Sequence, residues 1–184
     1  MQLMEFELIN TERLVLKKLT PEHISYVFEN HTKEEAKKIL GLITEEDFVR
    51  EKNKSLGGFT TYDRTIVQFK LLLKGTDQVI GTAGFHNWYQ QHRRAELGYT
   101  LVSDEFKRKG YMSEAVKAIL DYGFNKMNLN RVEAVIGPDN FASLSLANKF
   151  GFVREALLKE HYMVGDSIED SVIFSLLKKD YVKS

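Results

Sequence analysis

Apolar residues follow two different spacings along this chain, and each change of spacing marks an element. Over residues 12–19, Leu14, Leu16 and, less cleanly, Leu19 stand against Arg13, Val15 and Lys17, close to the period of two of a half-buried strand. Thr20 then offers an N-cap and Pro21 a first helical residue, which predicts a helix to about His31 with Ile24, Val27 and Phe28 on one side. Two charge-rich helical segments follow over 32–41 and 44–56, the latter stopped by Gly57 and Gly58.

The middle of the chain reverts to strands. Residues 66–74 and 79–88 flank a predicted hairpin turn at Gly75-Thr76-Asp77-Gln78, and a connection over 89–93 leads to a third strand over 95–102. These three form a predicted antiparallel meander. A long amphipathic helix ends near Met127, and a buried strand follows over 131–137 with Val132, Ala134, Val135 and Ile136. Gly137-Pro138-Asp139-Asn140 breaks that strand, and a short helix runs to Phe150 with Gly151 as its stop. Two last strands, 152–163 and 168–177, join around Gly165-Asp166. The expected fold is α/β of the α+β kind: one domain over residues 1–184, with a mixed, mostly antiparallel sheet of about seven strands flanked by helices.

Composition narrows the function classes. Formal net charge is zero, which argues against general binding to nucleic acid or an anionic membrane. There is no cysteine, so disulfides, zinc thiolates and a thiol nucleophile are excluded. The five histidines are scattered without ligand spacing, and no metal site is expected. The start, Met1-Gln2-Leu3-Met4, shows no export signal, and no apolar run approaches about 18 residues. A cytoplasmic protein is the expectation.

One stretch stands out chemically. Phe106-Lys107-Arg108-Lys109-Gly110-Tyr111 places three cations and a glycine directly before the long helix. A helix start carries unpaired N–H groups and the positive end of the macrodipole, so it attracts anions. Three added cations suit a polyanion, phosphate above all; the plain alternative is a solvated charged turn before a surface helix. A second candidate is Asn140-Phe141-Ala142-Ser143, where helix capping is the simpler explanation of both polar residues.

Three runs together resemble the GCN5-related N-acetyltransferases, and within them the Rim-type ribosomal-protein-alanine acetyltransferases. They are Ala95-Glu96-Leu97-Gly98-Tyr99-Thr100-Leu101, the turn from Lys107 through Met112-Ser113-Glu114-Ala115, and Asn140-x-x-Ser143 through Lys149-Phe150-Gly151-Phe152. The resemblance implies acetyl-CoA as acetyl donor. It implies a pyrophosphate loop at Lys107, Arg108, Lys109, Gly110, Tyr111, Met112 and Ser113, acting mainly through backbone amides. It also implies a strand carrying Leu101 and Val102 that splays from the strand of Val135 and pairs with pantetheine, Asn140 on the pantetheine arm, and Ser143 protonating the leaving thiolate. Met112 stands where the family has Gly or Ala, and Ala147 stands where many relatives carry a tyrosine acid.

The expected reaction is direct transfer to a primary amine, most simply a protein N-terminal α-amine. Glu96 is the first candidate base, with an ion pair to Arg93 or Arg94 as its structural alternative, and His86 and Glu160 follow. Tyr99 and Tyr162 read as core or substrate-wall aromatics. The alternatives are a small-molecule amine acceptor (polyamine, amino acid or antibiotic) and a CoA-binding module without turnover. A homodimer is a further expectation.

Overall fold

Three of the five helices begin with the same local device. Thr20, Thr32 and Thr44 each accept from the amide three residues on, and His23, Glu35 and Asp47 reach back to close a capping box. The helices are α1 (Pro21–Asn30), α2 (Lys33–Leu40), α3 (Glu45–Gly57), α4 (Tyr111–Asn125) and α5 (Phe141–Lys149). The strands are β1 (Leu8–Asn10), β2 (Leu14–Leu19), β3 (Thr65–Leu73), β4 (Val79–Tyr89), β5 (Arg94–Leu101), β6 (Arg131–Ile136), β7 (Val153–Val164) and β8 (Ser167–Leu177). The computed structural model describes residues 5–58, 63–76 and 78–181. Met1, Gln2, Leu3 and Met4, and Asp77 of the predicted hairpin turn, lie outside the described residues.

The strands form one sheet in the order β1-β2-β3-β4-β5-β6-β8-β7, antiparallel throughout except for the β5–β6 pair. The expected meander is β3-β4-β5. The sheet has eight strands rather than about seven, because Leu8, Ile9 and Asn10 pair with Lys17, Leu16 and Val15. Three residues hold too little alternation to be read as a strand. A turn in which Leu14 and Thr11 exchange hydrogen bonds then places Glu12 and Arg13 before β2, not inside it.

The two sheet faces bury different clusters. On one, Leu16, Phe69, Leu71, Phe85, Ala95, Leu97, Val132 and Phe174 pack against the α4 stripe of Ala115, Val116, Ile119, Leu120 and Phe124, with Ala147 of α5 beside them. On the other, Leu19 packs with Ile24 and Val27 of α1 and Ala36 and Leu40 of α2, and α3 closes over this cluster through Phe48. Truncating a fully buried Phe85 would cost about 3–5 kcal/mol. No described helix is long and apolar enough to cross a membrane.

Candidate active site

β5 and β6 are paired only at Arg94–Arg131, Ala95–Val132 and Glu96–Glu133. Beyond Glu96 they part, while β5 stays registered with β4 as far as Leu101 opposite Gly81. This is the expected splay. The Val102 N–H donates to the Ile80 carbonyl at 3.1 Å, on the β4 side. Backbone groups alternate edges along a strand, so Leu97, Tyr99 and Leu101 turn theirs into the fork. Of the two residues expected to offer donors there, Leu101 has one free and Val102 has spent its own.

At the mouth of the fork the chain makes a cradle of amides. Buried Phe106 anchors a 3₁₀ turn (Asp104–Phe106), after which Arg108 (φ +59°) and Gly110 (φ +80°) are both left-handed. Glycine reaches that conformation without penalty, and as N-cap of α4 it supplies no capping side chain. The first backbone bond of α4 is Glu114 N–H to Gly110 O, at 3.0 Å. The amides of Arg108, Lys109, Gly110, Tyr111, Met112 and Ser113 find no protein acceptor among the described residues. Among the described residues every other α-helix caps itself through a side chain; α4 leaves its N-terminus open.

The charges around the cradle are arranged by a residue that no local pattern singles out. Arg13 donates from Nη1 to the Lys109 carbonyl (2.9 Å) and from Nε to Glu114 Oε2 (2.8 Å), and its guanidinium lies 4.7 Å over the Tyr111 ring. Its main-chain N–H and the Thr11 hydroxyl both donate to Glu114 Oε1, at 2.7 and 2.6 Å. Burial raises the Glu114 carboxyl, but the Arg13 amide, the Thr11 hydroxyl and the Arg13 side chain outweigh it and hold the group below its ordinary value. The carboxylate in the first turn of α4 is thereby matched by a cation. Lys107 is paired with Asp104 at 2.5 Å. Met112 packs against the core, so its bulk is directed inward. Lys149 of α5 donates to Ser113 Oγ at 2.6 Å, beside a cleft of about 790 Å³ lined by Arg13, Gly110, Lys117 and Lys149.

The two faces of the fork carry different chemistry. On the α5 face Asn140 Oδ1 accepts from the Ser143 N–H at 3.1 Å, the simple capping role, which leaves the Asn140 amide nitrogen for other use. Tyr99 turns toward the Ser143 hydroxyl, and burial pushes its phenol up while Ser143 opposes that shift. On the opposite face Glu96 Oε1 lies 3.0 Å from His86 Nε2, and Asn87 Nδ2 donates to Oε2 at 2.9 Å. Burial raises the Glu96 carboxyl; His86, Asn87 and the charge of His161 together pull it below the usual carboxylate value. The His86 ring occupies the space over Gly98, where a Cβ would stand 2.7 Å from it. The ion-pair alternative for Glu96 does not form: Arg93 binds Asn128, and Arg94 binds Glu133. Glu160 sits exposed in a β7 bulge with its amide on Asp170, and Tyr162 is exposed rather than core.

A sheet forked at its one parallel pair, with unspent amides at the mouth, is the architecture of a transferase that uses a CoA thioester. Residues 13–153 match the family described as acetyltransferase (GNAT) domain. The chain is 34% identical over 177 residues to the uncharacterized N-acetyltransferase p20 of Bacillus licheniformis, covering 95% of this chain and 98% of that one. A crystal structure of a GNAT-family acetyltransferase from Bacillus anthracis superposes with a TM-score of 0.66 at 29% identity, covering 94% and 99% of the two chains. The fold also matches that of RimL, a ribosomal L7/L12 α-N-protein acetyltransferase solved with coenzyme A, at TM-score 0.69 and 18% identity over 95% and 99% of the chains. The chain belongs to the GNAT acetyltransferase family. It is an N-acetyltransferase, and acetyl-CoA is its acetyl donor.

Proposed function

We propose that this enzyme acetylates the α-amine of a protein N-terminus, with the thioester threaded through the β5–β6 fork. The observation that supports the path of the thioester is the unpaired β5 edge, which runs from Glu96 to a ready cradle of amides. Residues 108–113 hold the pyrophosphate through backbone N–H groups, with Arg108 and Lys109 adding charge. Leu97, Tyr99 and Leu101 pair with the pantetheine arm as a neighbouring strand would, and the Asn140 amide donates to it.

The acceptor enters from the α3 face and the thiol departs on the α5 face. The amine nitrogen bonds to the acetyl carbon, the carbon–sulfur bond breaks, the nitrogen gives up a proton, and the thiolate gains one. His86 takes the amine proton, directly or through one water, with Glu96 orienting its ring and stabilising the charge it acquires. Ser143 gives a proton to the thiolate, with the protonated Tyr99 behind it. An α-amine titrates near 7.7–8.0, so a base of modest strength suffices. The turn Gly110-Tyr111-Met112-x-Glu114-Ala115, similar to the Rim-type form, supports the N-terminal acceptor.

A mass-spectrometric screen with labelled acetyl-CoA, across N-terminal peptides and small amines, tests the acceptor. Label on peptide α-amines is expected. Label confined to polyamines, free amino acids or antibiotics overturns it.

A further inference from the structure

Lys70 is a lysine buried without an ion pair among the described residues. Only 6% of it is exposed, on β3 in the middle of the sheet. Its ammonium has three donors, and among the described residues the one hydrogen bond it makes is to Thr82 Oγ1 at 3.2 Å. Burying a charge without an ion pair is costly, and here burial, with the charge of Lys54, depresses the lysine's basicity despite the more distant carboxylates of Glu51 and Asp47. Its register partner on β2, Lys17, offers a like charge rather than relief, and turns its ammonium over the Phe6 ring 4.0 Å away.

The side chain opens into a cleft of about 340 Å³ roofed by α3 and the Gly41-Leu42-Ile43 turn, with Gln68, Lys70, Thr82 and Thr100 as its floor. Lys70, Thr82 and Thr100 are consecutive cross-strand partners on β3, β4 and β5, so the floor runs straight to the β5 edge at Leu101. The other charges there are spent on each other. Asp47 accepts from Arg50 and from the Thr44 amide, and Glu51 pairs with Lys54 at 3.9 Å. That leaves the cleft one cation in excess.

We infer that this cleft is an acceptor subsite for a carboxylate, so that the preferred acceptor is an amine carrying an anionic group a short reach from the nitrogen. The inference rests on the proposed fork site, since it takes the acceptor to enter from the α3 face. A carboxylate on Lys70 completes a desolvated ion pair and restores what burial costs the ammonium. A polyamine would add cations to a site already in positive excess. The carboxylate comes either from an acidic side chain beside a peptide N-terminus or from a free amino acid.

The experiment is calorimetric titration of the CoA-saturated protein with matched twins: a glutamyl peptide against its glutaminyl counterpart, and free glutamate against glutamine. The acidic member of one pair is expected to bind about 10- to 100-fold tighter, and the pair that shows the difference identifies the source. In Lys70→Met the difference collapses toward one, and the melting temperature stays or rises because an unpaired buried charge is gone. Equal binding within both pairs, undetectable binding of all four included, overturns the inference. So does a preference that survives Lys70→Met. Acetyl-CoA is titrated separately, and its failure to bind would overturn the proposed function and this inference with it.

Discussion

The Nε2 of His86 and Oε1 of Glu96 lie 3.0 Å apart, at the last point where β5 and β6 are joined. The histidine is the more exposed partner, at 43% against 15% for the carboxylate side chain. The carboxylate is held below its ordinary value and is a poor proton acceptor, but it is well placed to fix an imidazole.

His86→Ala is therefore expected to lower kcat by about 100-fold or more, with acetyl-CoA affinity unchanged. Glu96→Gln keeps the ring in place but removes its counter-charge, and a loss nearer 10-fold is expected, with the acid limb of the pH–rate profile moved to lower pH. Steady-state kinetics over a pH series checks both. If Glu96→Gln proves the more damaging variant, Glu96 itself is the base.

Ser143 and Tyr99 should behave as one device. Ser143→Ala and Tyr99→Phe each lower turnover more than acetyl-CoA affinity, and the double variant loses little beyond the worse single one. Burst measurements of thiol release across this cycle test the coupling. Fully additive losses would separate the two residues.

The cradle depends on backbone more than on side chains. Gly110→Ala places a Cβ 3.3 Å from Arg13 Nη2 at φ +80°, with local strain of about 1–2 kcal/mol, and should weaken acetyl-CoA binding about 10-fold. Neutral replacement of Lys107, Arg108 and Lys109 by Gln is expected to cost a few-fold. Reversal to Glu costs far more, because anions then face the open helix end. Isothermal titration at two salt concentrations distinguishes these effects.

Glu114 links the fold to pH. Its carboxyl is depressed in the folded protein, so the ionised form contributes stability that is complete above the unfolded value near 4.3 and is lost as pH falls through the folded value. Thermal unfolding of Glu114→Gln beside the wild type should show the widest gap near neutral pH and a narrowing gap below about pH 4. A gap independent of pH would assign the effect to packing.

Much of the fold was legible because it is written in local spacing. Alternation marked the meander, Thr20 and Pro21 marked the first helix start, helical spacing marked the next two segments, and the Gly110–Tyr111 junction marked the open end of α4. The His86–Glu96 pair was half legible, since a hairpin centred on Gln91 opposes positions equally distant on either side. Arg13 was not. Its contacts to Lys109 and Glu114 span 96 and 101 residues, and nothing local to Arg13 foretells them.

By itself the sequence determined most of the elements, the glycine-led start of α4 and the family, because capping, periodicity and a glycine with positive φ are local demands on local residues. Only the tertiary structure decided which charges remain unspent. Glu114 is cancelled by Arg13, Lys107 by Asp104 and Asp47 by Arg50, whereas Lys70 is left alone beneath α3. Two of these pairs lie three residues apart along the chain, but the Arg13–Glu114 pair and the position of Lys70 depend on what the fold brings together, and charge counts along the chain do not contain that.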